Sequence, residues 1–379
     1  MIYAILERLK VSIVFCFHAR GFLCFSLRGK LRGENMTQTN QAQSNQVRNA
    51  VIIGTGFYAP EQVITNQYFN DLYKKDIDSF LRESRNIKER RWKKPEQRTS
   101  DLILPAAEQA LKNAKITAQD LDLIIVATDT PDYLSPSTAS VMQHRLQATK
   151  AGTFDINTAC AGFVTACDMA SKYIKADPNF KNILVVGAYA MSQWLNMDDY
   201  KIASLFADGA GAAVIQATTE SNVGFLTSTM YTDGQYHDYM GIYAGGSAQM
   251  ITHEVIDQKG HLLAFPKRIP PETNGIHWPQ LTKKVLEPIG AKPQDVKCFF
   301  ITQFNVQSIY ETLDRLEVPR ERAHYIMDRY GYTGSASIAM ALADAANQHK
   351  LKKGDLVVML GSGGGMSMVA TSLRWGYDT

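Results

Sequence analysis

A cysteine at the mouth of a helix is the residue in this chain best placed for covalent chemistry. Cys160 lies in FDINTACAGF, where an apolar strand pattern over Thr153 to Asn157 gives way to small residues and then to a helical pattern reaching about Lys175. A helix N-terminus carries roughly half a positive charge and free N–H groups, which favour thiolate. Ala159, Ala161 and Gly162 leave room for an acyl group to approach. A thiolate attacks a thioester and later leaves readily, so the chemistry to expect is acyl transfer through a cysteine thioester. The competing reading is an inert buried cysteine, the usual fate of a free one. Cys167, seven residues on along the same helix, and Cys298, in a strand, read as core.

The second chemistry-bearing segment is Gly363-Gly364-Gly365, which follows the apolar run Leu356 to Leu360. Glycines let backbone N–H groups face a ligand without side-chain obstruction. Such a run suits an oxyanion, a phosphate or only a turn, but it lacks the Lys-Ser/Thr that completes a P-loop.

Strands alternating with helices must bring these segments together. AVIIGTGF (50–57), LDLIIVA (121–127), ILVVG (183–187) and the run from Ala210 to Ile215 read as strands, while Asp101 to Ala114 and Thr138 to Leu146 read as helices. The pattern predicts a layered α/β fold. It also repeats. AQDLDLIIVA at 118–127 and PQDVKCFFIT at 293–302 are offset by 175 residues, share Gln119/Gln294 and Asp120/Asp295, and each follows a helix, Pro105–Ala114 and Pro279–Ile289. We therefore expect two duplicated halves, 48–220 and 221–379, sharing one core behind a leader over 1–47.

Composition narrows the function. The chain has 379 residues, 45% hydrophobic and 20% charged, with a net charge of +3. It has no basic tract interleaved with aromatics and no zinc-spaced Cys/His set, which argues against nucleic acid and a structural metal. Five scattered cysteines fit a reducing compartment, the cytoplasm. Residues 1–35 alone carry a net +4, leaving −1 for the rest. Val11 to Leu27 is apolar but interrupted by His18 and Arg20, short of the roughly 18 residues a span requires, so no membrane association by a span is expected. Gly33-Glu34 is encodable as the purine-rich GGA-GAA just before Met36. This predicts a native start at Met36 and a polar, disordered leader after it, the alternative being a disordered or weakly membrane-associating arm.

With TACAGF, the segments NIKERRW (86–92), SLFADGAGAAVI (204–215), YGYTGSASIAMAL (330–342) and GDLVVMLGSGGGMSM (354–368) resemble the beta-ketoacyl-ACP synthase III family from about Arg48 to Trp375. The resemblance implies the thiolase fold, five αβαβα layers built from two duplicated halves, and a homodimer. It implies Cys160 as the acylated residue, with the Gly364 and Cys160 N–H groups as an oxyanion hole. Acyl-CoA and acyl carrier protein would be partners, and no metal, nicotinamide or flavin is called for. Asp208-Gly209-Ala210-Gly211 resembles a structural turn of the family.

The chain departs from that family where the second half completes the site. A His-Gln-x-Asn segment reads Thr302-Gln303-Phe304-Asn305, and Gly-Asn-Thr reads Gly331-Tyr332-Thr333, with the family's 30-residue separation kept. Thr302, Gln303, Asn305 and Tyr332 would then form a rebuilt set of hydrogen-bond donors. None is a base near neutral pH as histidine is. His253, His277 and His324 read as ordinary packed or surface residues. At the entry, Phe80 stands where the family stacks a tryptophan on adenine, and Gln307 stands for an arginine. Arg82, Arg85, Lys88, Arg90 and Arg91 either meet carrier phosphates or form a solvated face. The reading that follows is a condensing acyltransferase of fatty-acid or secondary-metabolite synthesis. The alternatives are acyl transfer to an oxygen or nitrogen nucleophile and a non-catalytic partner subunit.

Overall fold

The computed structural model describes residues 12–16, 24–28 and 48–379. The chain falls into two units, Met1–Gln46 and Val47–Thr379. In the first, β1 (Ser12–Cys16) pairs antiparallel with β2 (Cys24–Arg28). Met36 and its polar sequel lie outside the described residues.

The second unit is built on two sheets of matching topology. The first orders β3 (Asn49–Tyr58), β9 (Asp208–Thr218), β8 (Asn182–Ala190), β6 (Leu123–Ala127) and β7 (Gly152–Ile156). The second orders β10 (Gly224–Thr232), β13 (Ser367–Arg374), β12 (Leu356–Gly363) and β11 (Cys298–Ile301). A short pair, β4 (Gln62–Thr65) and β5 (Glu89–Trp92), stands apart. In both sheets the first two pairings are antiparallel and the third parallel. The extra strand of the first sheet, β7, pairs parallel with β6 and leads to Cys160. β6 and β11 start 175 residues apart and are buried at every position, as strands covered on both faces must be.

Helices complete five layers: α1 (Asn66–Tyr73), α2 (Thr99–Ala114), α3 (Thr138–Arg145), α4 (Gly162–Ala176), α5 (Thr273–Leu286), α6 (Val306–Arg315) and α7 (Ser337–Asn347). α2 and α3 cover the outer face of the first sheet, α5 covers that of the second, and α4 and α7 lie between the sheets. α2 and α5 each carry an internal proline, Pro105 and Pro279. The aspartates shared by the repeat also have a physical role. Asp120 accepts from the Thr117 N–H at 2.9 Å and Asp295 from the Lys292 N–H at 2.8 Å, each capping the turn that feeds β6 or β11.

The inner helices enter by close approach to the opposite sheet. A Cβ on Gly187 of β8 would fall 2.3 Å from the Ser335 carbonyl, just before α7. A Cβ on Gly361 of β12 would fall 2.8 Å from Ala161 Cα, just before α4. Each sheet thus uses a glycine to seat the other half's helix; one core cluster draws residues from both halves, and a second lies within the first half under α2 and α3.

Candidate active site

The turn between β7 and α4 holds the nucleophile. Asn157 Oδ1 accepts the Ala159 N–H at 2.9 Å, and Ala159 takes a left-handed φ of 47°. The Ala161 and Gly162 N–H groups then bond back to the Thr158 and Ala159 carbonyls at 3.1 and 2.9 Å. Cys160 is pinned on this bend, 4% exposed, on the wall of a cavity of about 810 Å³. Across from it runs the end of β12, where a Cβ on Gly363 would lie 2.7 Å from the Cys160 nitrogen. Gly364 follows, where a Cβ would lie 3.2 Å from the Met240 carbonyl.

The thiol is not a resting thiolate. Burial pushes Cys160 from about 9 up to about 12, the charge of Asp129 adds to the rise, and the Tyr332 hydroxyl, turned toward the sulfur, opposes it. A helix terminus is worth at most about 2 kcal/mol, near 1.5 pKa units. Burial outweighs it at Cys160, so the helix mouth does not favour a thiolate here as the sequence suggested.

The second half brings up three of the four expected donors. Thr302 follows β11, its N–H on the Leu360 carbonyl at 3.0 Å and its Oγ1 accepting the Ser362 N–H at 2.7 Å, so its hydroxyl proton is left for the cavity it lines. Tyr332 exchanges backbone bonds with Leu205 and Ala207, and its ring packs on Phe206 (5.5 Å) and Phe304 (5.3 Å). Asn305 lines the cavity while Oδ1 caps α6 through the Gln307 N–H at 2.9 Å. Gln303 does not join them. It is fully buried, with Oε1 on the Ile326 N–H at 2.8 Å and Nε2 on the Ser337 carbonyl at 3.2 Å, so its amide ties the scaffold.

At the entrance, Phe80 and Arg85 line the cavity, with the Arg85 guanidinium 5.7 Å from the Phe80 ring and 4.9 Å from that of Phe304. Gln307 lies outside it, its amide on the Glu83 carbonyl at 3.4 Å. The expected basic cluster also disperses. Arg90 is fully buried, donating to the Ile64, Asn66 and Ser204 oxygens over the Phe69 ring, and burial lowers it to about 9. Arg82 and Arg91 pair with Asp78 and Glu89. Lys201, Lys267 and Arg268 supply the cations at the mouth instead. Sequence reasoning missed them, although the proline-flanked FPKRIPP over 265–271 signals a stiff, charged rim.

No histidine reaches the cavity among those considered. His324 is held between Asp344 (2.8 Å) and Lys350 (3.1 Å) beside a different cavity, and His277 stacks on Tyr231 at 4.6 Å. Among the described residues, no group of three or more His, Cys, Asp or Glu could hold a metal ion, and no helix is long and apolar enough to cross a membrane. Cys167 and Cys298 are buried and line no part of this cavity, as expected of core residues.

The chain that carries this arrangement is similar in sequence and fold to known proteins. Residues 154–234 match the family described as 3-oxoacyl-[acyl-carrier-protein] synthase III, and residues 286–375 match its C-terminal counterpart. The beta-ketoacyl-[acyl-carrier-protein] synthase III of Caldanaerobacter subterraneus is 35% identical over 86% of this chain and 98% of its own. That of Clostridioides difficile is 36% identical with the same coverage. The crystal structure of the Aquifex aeolicus enzyme superposes with a TM-score of 0.75 at 34% identity, covering 86% of this chain and all of its own. The fold is the thiolase fold, and the chain belongs to the beta-ketoacyl-[acyl-carrier-protein] synthase III family.

Proposed function

We propose that the protein is a condensing acyltransferase of fatty-acid or polyketide synthesis that works through Cys160 with a rebuilt donor set. In acylation, Cys160 Sγ bonds to the acyl carbon of an acyl-CoA or acyl-carrier-protein thioester and the carrier sulfur departs. In condensation, a malonyl-type thioester loses carbon dioxide. The electron pair of the broken bond attacks the Cys160 thioester carbonyl, a carbon–carbon bond forms, and the cysteine thiolate leaves. Decarboxylation supplies the carbanion without proton removal, so this step needs donors to the developing enolate rather than a base. Thr302, Tyr332 and the Asn305 amide N–H group fill that need. The Cys160 and Gly364 N–H groups receive the tetrahedral oxyanion, and Phe80 and Arg85 meet the incoming carrier. The enzyme acts in the cytoplasm as a homodimer, a state supported by Tyr133 and Leu134, which lie 43% and 85% exposed on one loop.

The observation that carries this reading is a buried Cys160 on the wall of a cavity that Tyr332 and Thr302 also line. The test is incubation with acyl-CoA, mass analysis for an adduct on Cys160, then malonyl carrier protein and measurement of released carbon dioxide. Adduct followed by carbon dioxide supports condensation. Adduct without it would move the reading to transfer onto oxygen or nitrogen, and no adduct with any donor would leave a non-catalytic partner subunit.

A further inference from the structure

Tyr332 carries its hydroxyl at the far end of a flat ring, so the donor sits wherever the backbone puts it. The ring is wedged against Phe206 at 5.5 Å and Phe304 at 5.3 Å and cannot swing to correct a displaced main chain. A group about 1 Å out of place can cost a reaction about 10²-fold. The residues that fix this backbone lie outside the cavity, on β5.

The run from Ser204 to Asp208, which leads into β9, stands between β5 and Tyr332. Two of its residues turn to Tyr332. The Leu205 carbonyl accepts the Tyr332 N–H at 3.0 Å, and the Ala207 N–H donates to the Tyr332 carbonyl at 2.9 Å. The alternate residues turn the other way. The Arg90 guanidinium donates to the Ser204 carbonyl at 2.7 Å, the Trp92 indole N–H to the Phe206 carbonyl at 3.0 Å, and the Lys93 N–H to Asp208 Oδ2 at 2.7 Å. Arg90 also backs the residue before Tyr332. A Cβ on Gly331, whose φ is 67°, would lie 2.5 Å from that of Arg90 and 3.2 Å from that of Ala207.

Arg90 makes these contacts at a cost. Its guanidinium is fully buried, its other acceptors are the Asn66 side-chain oxygen at 2.8 Å and the Ile64 carbonyl at 3.1 Å, and its Nε has no partner among the described residues. A buried charge held only by neutral oxygens is expensive, and well-packed apolar side chains often replace such groups without loss of stability. What the charge holds in place must therefore explain it. Neither Arg90 nor Trp92 lines the cavity, so neither touches substrate there.

We infer that Arg90 and Trp92 are positioning residues for the condensing step: through the Ser204 and Phe206 carbonyls they set where Tyr332 presents its hydroxyl on the wall it shares with Cys160. The inference rests on the proposed place of Tyr332 in the donor set.

The test uses the full chain and reads two half-reactions: adduct formation from hexanoyl-CoA, and carbon dioxide release when the acylated enzyme meets malonyl carrier protein. Trp92→Phe keeps the ring on Tyr68 (5.9 Å) and Phe69 (5.8 Å) and removes only the N–H on Phe206. Carbon dioxide release should slow about tenfold, and acylation by no more than about threefold. Arg90→Lys keeps the charge but not the planar fork, and should slow release at least as much. The deciding comparison repeats Trp92→Phe in the Tyr332→Phe background. With no hydroxyl left to misplace, the second change should alter release by less than about twofold. A merely structural Trp92 would cost the same factor in both backgrounds, and that result would overturn the inference, as would release unchanged by Trp92→Phe alone. If Arg90→Lys does not fold, the Trp92 comparison decides by itself. If the wild type forms no adduct, or forms one and releases no carbon dioxide, the proposed function fails instead. The positioning is then read without activity, from 3-fluorotyrosine at position 332: Trp92→Phe should shift its fluorine resonance, and an unmoved resonance would show that β5 does not place the ring.

Discussion

Tyr332→Phe isolates one hydroxyl. The ring packs on Phe206 at 5.5 Å and on Phe304 at 5.3 Å, contacts that phenylalanine keeps, and the backbone bonds to Leu205 and Ala207 do not involve the side chain. Stability should therefore change by less than about 1 kcal/mol in urea melts. What is lost is the group facing Cys160. As a donor to the developing enolate it is worth about 3 kcal/mol, roughly 150-fold in the condensing step. Its smaller effect is on the thiol, whose pKa it holds down, so acylation should slow by about tenfold or less. The two half-reactions are separable: adduct formation reports the first, and carbon dioxide release from a pre-acylated enzyme reports the second. Carbon dioxide release within threefold of wild type, in a folded and acylatable variant, would refute the assignment of Tyr332 to the donor set.

Other outcomes follow from the same geometry. Cys160→Ala should abolish the acyl adduct while Cys167→Ala retains it, checked by peptide mapping; an adduct on Cys167 or Cys298 would displace the nucleophile. Gly363→Ala places a methyl 2.6 Å from the Thr158 carbonyl and 2.7 Å from the Cys160 nitrogen, so acylation should fall more than about 100-fold with the circular dichroism spectrum preserved. Thr302→His with Tyr332→Asn should act non-additively, because both side chains line one wall. If the native enzyme condenses as proposed, the pair lowers carbon dioxide release; a gain from a near-zero baseline would instead favour an acyltransferase that lost condensation.

The duplication was legible because its markers are local. Asp120 and Asp295 cap their own turns, and the runs behind them are apolar throughout, so both leave a trace in ten residues of sequence. The Cys160 bend was legible for the same reason, as an apolar strand, small residues and a helix in succession. Which way a side chain turns was not. Gln303 and Asn305 differ by two positions, yet one is spent on the Ile326 and Ser337 backbone and the other reaches the cavity. Arg90 looks like its charged neighbours until long-range packing against Ser204 and Phe69 buries it. The charge state of Cys160 was illegible too, since it depends first on burial by both halves and only then on the charge of Asp129, 31 residues earlier.

The reciprocal glycines, Gly187 and Gly361, carry one more consequence. Applying the 175-residue repeat to Cys160 leads to Ser335, at the mouth of α7 and seated by Gly187 as Ala161 is seated by Gly361. The fold therefore contains two sockets of the same construction, but only one is open. In the other, the Ser335 hydroxyl donates to the Ala188 carbonyl at 2.6 Å and is 1% exposed, so its oxygen is spent as a structural tie. Each socket is roofed by the strand-end of the opposite half, so neither half owns a complete reaction chamber. Cutting the chain between β9 and β10 would separate the thiol from the wall that serves it, and activity would return only when the two fragments reassociate.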